Sequence, residues 1–181
     1  MSPKIIVAAL CLLPLVAFSQ GRKKSKKAEP APSFTPSADG IDYRMLDSPL
    51  PALRLVTLDG KVIDNTALAN DANLFVVLFR PDCDHCQELT RSIQKNIGLF
   101  KQSKIVMVAG AMMKQPAQDF VRLLKMEMYP AIPVTLDSSE YINKVFLYQS
   151  IPQINVYDHN RRLIRTMAGV ITADSLKQYI E

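Results

Sequence analysis

Three cysteines serve 181 residues, and the shortage is informative. Cys11 falls in an N-terminal apolar run, which leaves Cys83 and Cys86 as the only thiols beyond it. Two thiols spaced C-x-x-C cannot build the disulfide framework of a small scaffold, so the pair must do something local. Histidine is scarcer still: His85 sits inside the C-x-x-C and His159 far along the chain. With no second C-x-x-C and no H-x-x-H, the spacing of a tetrahedral zinc or copper site is missing, and no metal is expected. Nor is there an apolar run long enough to span a membrane. Ile5 to Phe18, interrupted by Pro14, falls short of the roughly 20 residues required. Internal repeats are absent. So is a basic face: the net charge is +5, but residues 40–181 hold 16 basic and 15 acidic side chains. That balance argues against nucleic-acid recognition, which needs its basic residues on the folded part.

The excess positive charge lies near the N-terminus. Lys4 precedes the apolar run, and Ala17-Phe18-Ser19 offers small residues at the two positions a signal peptidase reads. Residues 1–19 are therefore expected to be a cleaved signal peptide. Arg22, Lys23, Lys24, Lys26 and Lys27 follow; in an uncleaved segment that asymmetry would instead keep the basic side in the cytoplasm. Leu10 stands before Cys11 where a lipoprotein box has a small residue, which argues against lipid anchoring. Residues 20–40 carry Pro30, Pro32, Pro36 and the basic run with almost nothing to bury, and read as a disordered basic Pro/Ser-rich linker. Residues 22–27 are either a solvated tether or a weak contact with anionic phospholipid. Residues 41–181 have the length of one ordinary domain. The expected location is periplasmic or otherwise exported, in the cell envelope.

Periodicity outlines that domain. Leu53 to Leu58 alternates with period two, Asp59-Gly60 turns, and Lys61-Val62-Ile63 returns as a hairpin. Leu74 to Phe79 is a continuous apolar run, expected of a strand covered on both faces. Leu89, Ile93, Ile97 and Phe100 recur at helical spacing, so a helix starts close to Cys83. Ile105 to Ala109 reads as a second buried strand. Pro116 suits the first turn of a further helix with Phe120, Leu123 and Leu124 inward. Asp137-Ser138-Ser139-Glu140 has capping-box spacing before a helix carrying Tyr141, Val145 and Tyr148. Gln153–Tyr157 and Leu163–Met167 form two strands across Asp158-His159-Asn160, and Thr172 caps a last helix with Leu176 and Ile180 inside. Strands alternating with helices, then a hairpin and a helix, predict an α/β fold: a central sheet with helices on both faces.

The chemistry concentrates in Phe79-Arg80-Pro81-Asp82-Cys83-Asp84-His85-Cys86-Gln87, where a buried strand ends and a helix begins. The first turn of a helix has unpartnered backbone N–H groups and the positive end of the helix dipole. A thiolate placed there is stabilised, which marks Cys83 as the nucleophile. Cys86 lies one turn on, toward the core, close enough to close a disulfide yet less exposed to outside partners. The pair can cycle: Cys83 attacks a substrate disulfide and Cys86 resolves the mixed disulfide.

From about residue 50 onward the chain resembles the thioredoxin superfamily, and within it the TlpA/ResA-type periplasmic thiol–disulfide oxidoreductases. The resemblance rests on the apolar strand entering Pro81-x-Cys83-x-x-Cys86, on the long strand–helix insertion in the middle, and on Ser150-Ile151-Pro152-Gln153-Ile154-Asn155-Val156-Tyr157-Asp158. It implies a thioredoxin-like fold with a central mixed sheet and a reductase that exchanges disulfides with envelope proteins. It also implies no cofactor beyond the redox-active Cys83–Cys86 disulfide, and a membrane thiol donor as the source of electrons. By the same resemblance Pro152 should be a cis-proline beside the cysteines, with the main chain of Ile151 pairing with bound substrate. His85 precedes Cys86 as a histidine does in disulfide isomerases, where it favours the thiolate; Asp84 and Asp82 oppose it by repelling a negative sulfur. The aromatic residue usual before the first cysteine is Asp82 here. Asn160 replaces the usual glycine of the last hairpin and is expected to take the left-handed conformation.

Rival readings are weaker. A peroxiredoxin-type peroxidase wants a proline and a Ser or Thr seven and three residues before its cysteine, where Val76 and Arg80 stand. A metal-binding chaperone would have to draw on His85 or the distant His159. A binding-only domain with a structural Cys83–Cys86 disulfide is the remaining alternative.

Overall fold

The computed structural model describes residues 39–180; the expected signal peptide and nearly all of the expected linker lie outside the described residues. At its centre runs β3 (Leu74–Leu78), whose five apolar side chains are all buried because the strand is covered on both faces. β4 (Lys104–Gly110) lies parallel to it, with Leu78 opposite Val108. β5 (Val134–Asp137) lies parallel to β4. On the other side β6 (Gln153–Tyr157) runs antiparallel to β3, with Leu78 opposite Gln153, and β7 (Leu163–Ala168) runs antiparallel to β6. The expected hairpin forms as β1 (Arg54–Thr57) and β2 (Val62–Asp64), turning at Gly60 with φ of 90°, and docks antiparallel on β5. The seven-stranded mixed sheet thus has the order β2-β1-β5-β4-β3-β6-β7.

Both faces are covered, as the alternation of elements required. One apolar layer receives α1 (Asp84–Lys95), α2 (Lys114–Leu123) and α4 (Ala173–Leu176) through Leu89, Ile93, Ala117, Phe120 and Leu176. The opposite layer receives α3 (Tyr141–Phe146) through Ile142, Val145 and Phe146, together with Tyr43, Leu50 and Leu53 of the leading segment. Among the described residues no helix is long and apolar enough to cross a membrane.

Five local expectations need correction. The α1 stripe does not continue as one helix to Phe100. Asn96 leaves the helical region at φ −110°, ψ 15°, its side chain bonds back to the Ser92 carbonyl at 2.8 Å, and Ile97–Phe100 forms a separate 3₁₀ turn. On α2, Phe120 and Leu124 point inward, but Leu123 is 59 % exposed. Ala117, Phe120 and Leu124 fall on one face, whereas 123 lies about 100° round the helix from 124. Asp137 makes no capping box. It ends β5, and its carboxylate reaches past Glu140 to accept from the Ile142 N–H at 2.6 Å and from Ser139 Oγ at 2.8 Å. Its helix stops at Phe146, so Tyr148 lies beyond it. Finally, the left-handed residue of the β6–β7 turn is Arg161, φ 58°, rather than Asn160. The Arg161 guanidinium is gripped by main-chain oxygens of Leu68, Ala72 and Asp158, and that grip outweighs the roughly 1 kcal/mol a non-glycine residue loses there.

Candidate active site

Phe79 continues β3 by donating its N–H to the Val108 carbonyl at 3.1 Å, and its ring packs on Phe120 of α2 with centroids 4.9 Å apart. These contacts fix the start of the loop that follows. Pro81 is buried, and the Cys83 N–H closes a turn onto the Arg80 carbonyl at 3.2 Å. Cys83 then takes the N-cap position of α1, with φ −96° and ψ 120°. Its carbonyl accepts the first helical bond from Gln87 at 3.0 Å, and its sulfur accepts the Cys86 N–H at 3.4 Å. One helix-terminal donor is thereby aimed at sulfur, which is the role an oxygen plays at an ordinary cap.

The two sulfurs differ in surroundings. Cys83 is partly exposed, whereas Cys86 has no exposed surface and belongs to the apolar layer beneath α1. Burial pushes the Cys86 thiol up to about 12; the hydrogen bond with Cys83 adds to this, and the main-chain N–H of Arg80 pulls the other way. The Thr90 hydroxyl, also buried, donates to the Cys86 carbonyl at 2.7 Å and steadies the first turns of the helix.

The remaining predicted residues distribute around this pair. Asp82 does not stand as a lone negative charge. Arg80 clamps it with Nε at 3.0 Å and Nη2 at 2.6 Å, and that pairing holds the Asp82 carboxyl below its usual range. Asp84 opens α1 and is exposed. His85 is exposed as well, with Nδ1 placed 3.3 Å from Glu88 Oε2. The Ile151–Pro152 peptide is cis, as the resemblance implied. Because Leu78 pairs with Gln153, the loop leaving β3 and the residues entering β6 meet at one end of the sheet. There Pro152 is buried, its carbonyl accepts the Gly169 N–H at 3.0 Å, and Ile151 packs on the same apolar layer as Cys83. His159 belongs to the opposite end, beyond the last residue of β6, and its ring bonds to Asn160 at 3.0 Å. Among the described residues no group of three or more His, Cys, Asp or Glu is placed to hold a metal ion.

Arg80 is the member of this group to which the sequence alone gives no part. Its spacing of two residues from Asp82 was the available signal.

A scan against protein-family models finds no match, and a search of curated proteins finds none either. Solved structures do match. StoA from Bacillus subtilis superposes with a TM-score of 0.60 at 20 % identity, over 75 % of this chain and 99 % of that one. The thioredoxin domain of a thiol–disulfide oxidoreductase from Bacteroides vulgatus gives a TM-score of 0.63 at 14 % identity, over 76 % and 99 %. A secreted disulfide oxidoreductase from Mycobacterium tuberculosis, described as homologous to E. coli DsbE, gives 0.60 at 15 %, over 71 % and 93 %. With its sheet order, its C-x-x-C at the mouth of α1 and these neighbours, the chain has the thioredoxin fold.

Proposed function

We propose that this chain is an exported thiol–disulfide oxidoreductase that reduces disulfides of envelope proteins through Cys83 and Cys86. The observation that carries the reading is the asymmetry of the pair. One sulfur is partly exposed at a helix N-terminus, and the other is buried one turn away with its thiol pushed up to about 12. Such a pair has one attacking and one resolving member. The fold it shares with neighbours described as thiol–disulfide oxidoreductases, one of them secreted, supports the same reading.

The Cys83 thiolate attacks one sulfur of a client disulfide, that bond breaks, and the second client sulfur leaves as a thiolate. This released thiolate is the base at hand for the Cys86 proton. Cys86 then attacks Cys83 Sγ, the intermolecular bond breaks, and the client departs with one thiol and one thiolate, which takes its proton from water. Two electrons have passed to the client, and the chain is left with a Cys83–Cys86 disulfide that a membrane thiol donor reduces again. The two sulfurs are the only redox group the cycle needs. Ile151, which packs on the apolar layer that Cys83 also joins, and the adjoining Pro152 offer the surface on which the client backbone lies, while Asp82, Asp84 and His85 adjust the charge around the attacking sulfur.

The test uses the purified protein with Cys83→Ser and Cys86→Ser in a protein-disulfide reduction assay. Turnover should vanish in both, and Cys86→Ser alone should accumulate a mixed disulfide with the client. Full activity in both variants would overturn the reading. Export is checked separately, by N-terminal sequencing of the protein recovered from the envelope fraction, which should begin at Gln20.

A further inference from the structure

We infer that Arg80 is a positioning residue that sets the charge at the attacking sulfur, its guanidinium held by the fork it makes with Asp82, the residue adjoining Cys83. The inference rests on the oxidoreductase reading above. The turn from the Cys83 N–H to the Arg80 carbonyl, 3.2 Å, folds residue 80 back against residue 83. From there the side chain reaches forward to Asp82, the residue adjoining Cys83, and meets both carboxylate oxygens. Between Arg80 and Glu88 the permanently charged side chains are Arg80, Asp82, Asp84 and Glu88, so Arg80 is the single cation among three carboxylates. His85 faces Glu88 rather than offering its Nδ1 to the sulfurs.

A planar fork explains the choice of arginine. It neutralises Asp82 while staying fixed in the loop, where a lysine would hold one oxygen as a mobile point charge. Both partners are about half exposed, 55 % and 53 %, so the pair contributes little to stability. Its effect falls instead on the neighbouring sulfur.

Two single variants should therefore move the site in opposite directions. R80Q leaves Asp82 unpaired beside the sulfur, which slows iodoacetamide alkylation of Cys83 at neutral pH and makes the disulfide less oxidising against glutathione. D82N frees the guanidinium for the sulfur, which accelerates alkylation and makes the disulfide more oxidising. Each change should be roughly threefold to tenfold and shrink in high salt. The R80Q/D82N double variant should return toward wild type, and R80K should fall between R80Q and wild type. Circular dichroism and urea midpoints close to wild type show that folding is intact. Shifts of the same sign in R80Q and D82N, or no shift in R80Q while wild-type Cys83 is reactive, overturn the role of Arg80 and leave the oxidoreductase reading standing. A wild-type Cys83 no more reactive than free glutathione overturns both.

Discussion

Nη2 of Arg161 donates to the carbonyl oxygen of Leu68 at 2.6 Å, bridging 93 positions of sequence. The same guanidinium reaches Ala72 O at 2.8 Å, Asn70 Oδ1 at 2.6 Å and Asp158 O at 2.8 Å, so its partners are neutral oxygens. One side chain fastens the loop that enters β3 to the turn between β6 and β7. Arg161→Ala should cost about 2–4 kcal/mol in urea denaturation, because several carbonyls lose a charged donor at once. Arg161→Lys should recover part of that loss. An unshifted midpoint in the alanine variant would show that water replaces the guanidinium at no cost.

The Asp137 carboxylate plays a comparable part at the opposite end of the sheet. Removing it leaves the Ile142 N–H without its acceptor in a buried setting, so Asp137→Ala should destabilise by about 1–3 kcal/mol. Amide exchange at Ile142 should accelerate selectively. Asp137→Asn keeps an acceptor oxygen and should lose less.

The face of α2 can be read by a pair of neighbours. Leu124 is buried and Leu123 is not. Leu124→Ala should cost about 2–5 kcal/mol, while Leu123→Ser should stay within about 0.5 kcal/mol. Equal costs would return Leu123 to the core.

Alkaline pH should weaken the reduced protein. An unfolded cysteine thiol gives up its proton near 9.0, whereas Cys86 in the fold keeps it to about 12. Between those values the native state binds more protons than the unfolded chain, so stability falls as pH rises. The slope from this one group is at most about 1.4 kcal/mol per pH unit. Tyr43 and Tyr157, both raised by burial, act in the same direction at higher pH. Urea midpoints of the reduced protein, taken on either side of pH 9, should separate more in wild type than in Cys86→Ala. Identical separations would mean that Cys86 loses its proton as easily folded as unfolded.

Where side-chain pattern and backbone state coincide, the sequence could be read directly. The uninterrupted apolar run of β3, the alternation of β1 and the Thr172 cap all name their own structure, because each is decided within a few residues. The placement of the cysteine pair is legible for the same reason, since it is decided by spacing and by a strand-to-helix junction. Arg161 was not. Its left-handed backbone is held by oxygens some ninety residues earlier, and nothing local distinguishes it from Asn160, which favours that conformation more. Asp137 misled because its bond reaches five residues ahead instead of the three a capping box uses. Asp82 is half legible: its two-residue spacing from Arg80 permits a pair, but the turn that folds the guanidinium onto its carboxylate is set by the fold.

Antiparallel pairing of β3 with β6 works as a jig for the cysteine end of the sheet. One strand delivers the sulfurs and the other departs from the proline, so the distance between the two segments is dictated by ladder bonds rather than by any side chain there. The smallest slip that keeps the same faces inward is two residues, and it would offset the segments by about 6.6 Å. Substitutions at residues 80, 82 or 151 can therefore alter chemistry while alignment survives, and a fault deep in the ladder could silence the pair without touching it.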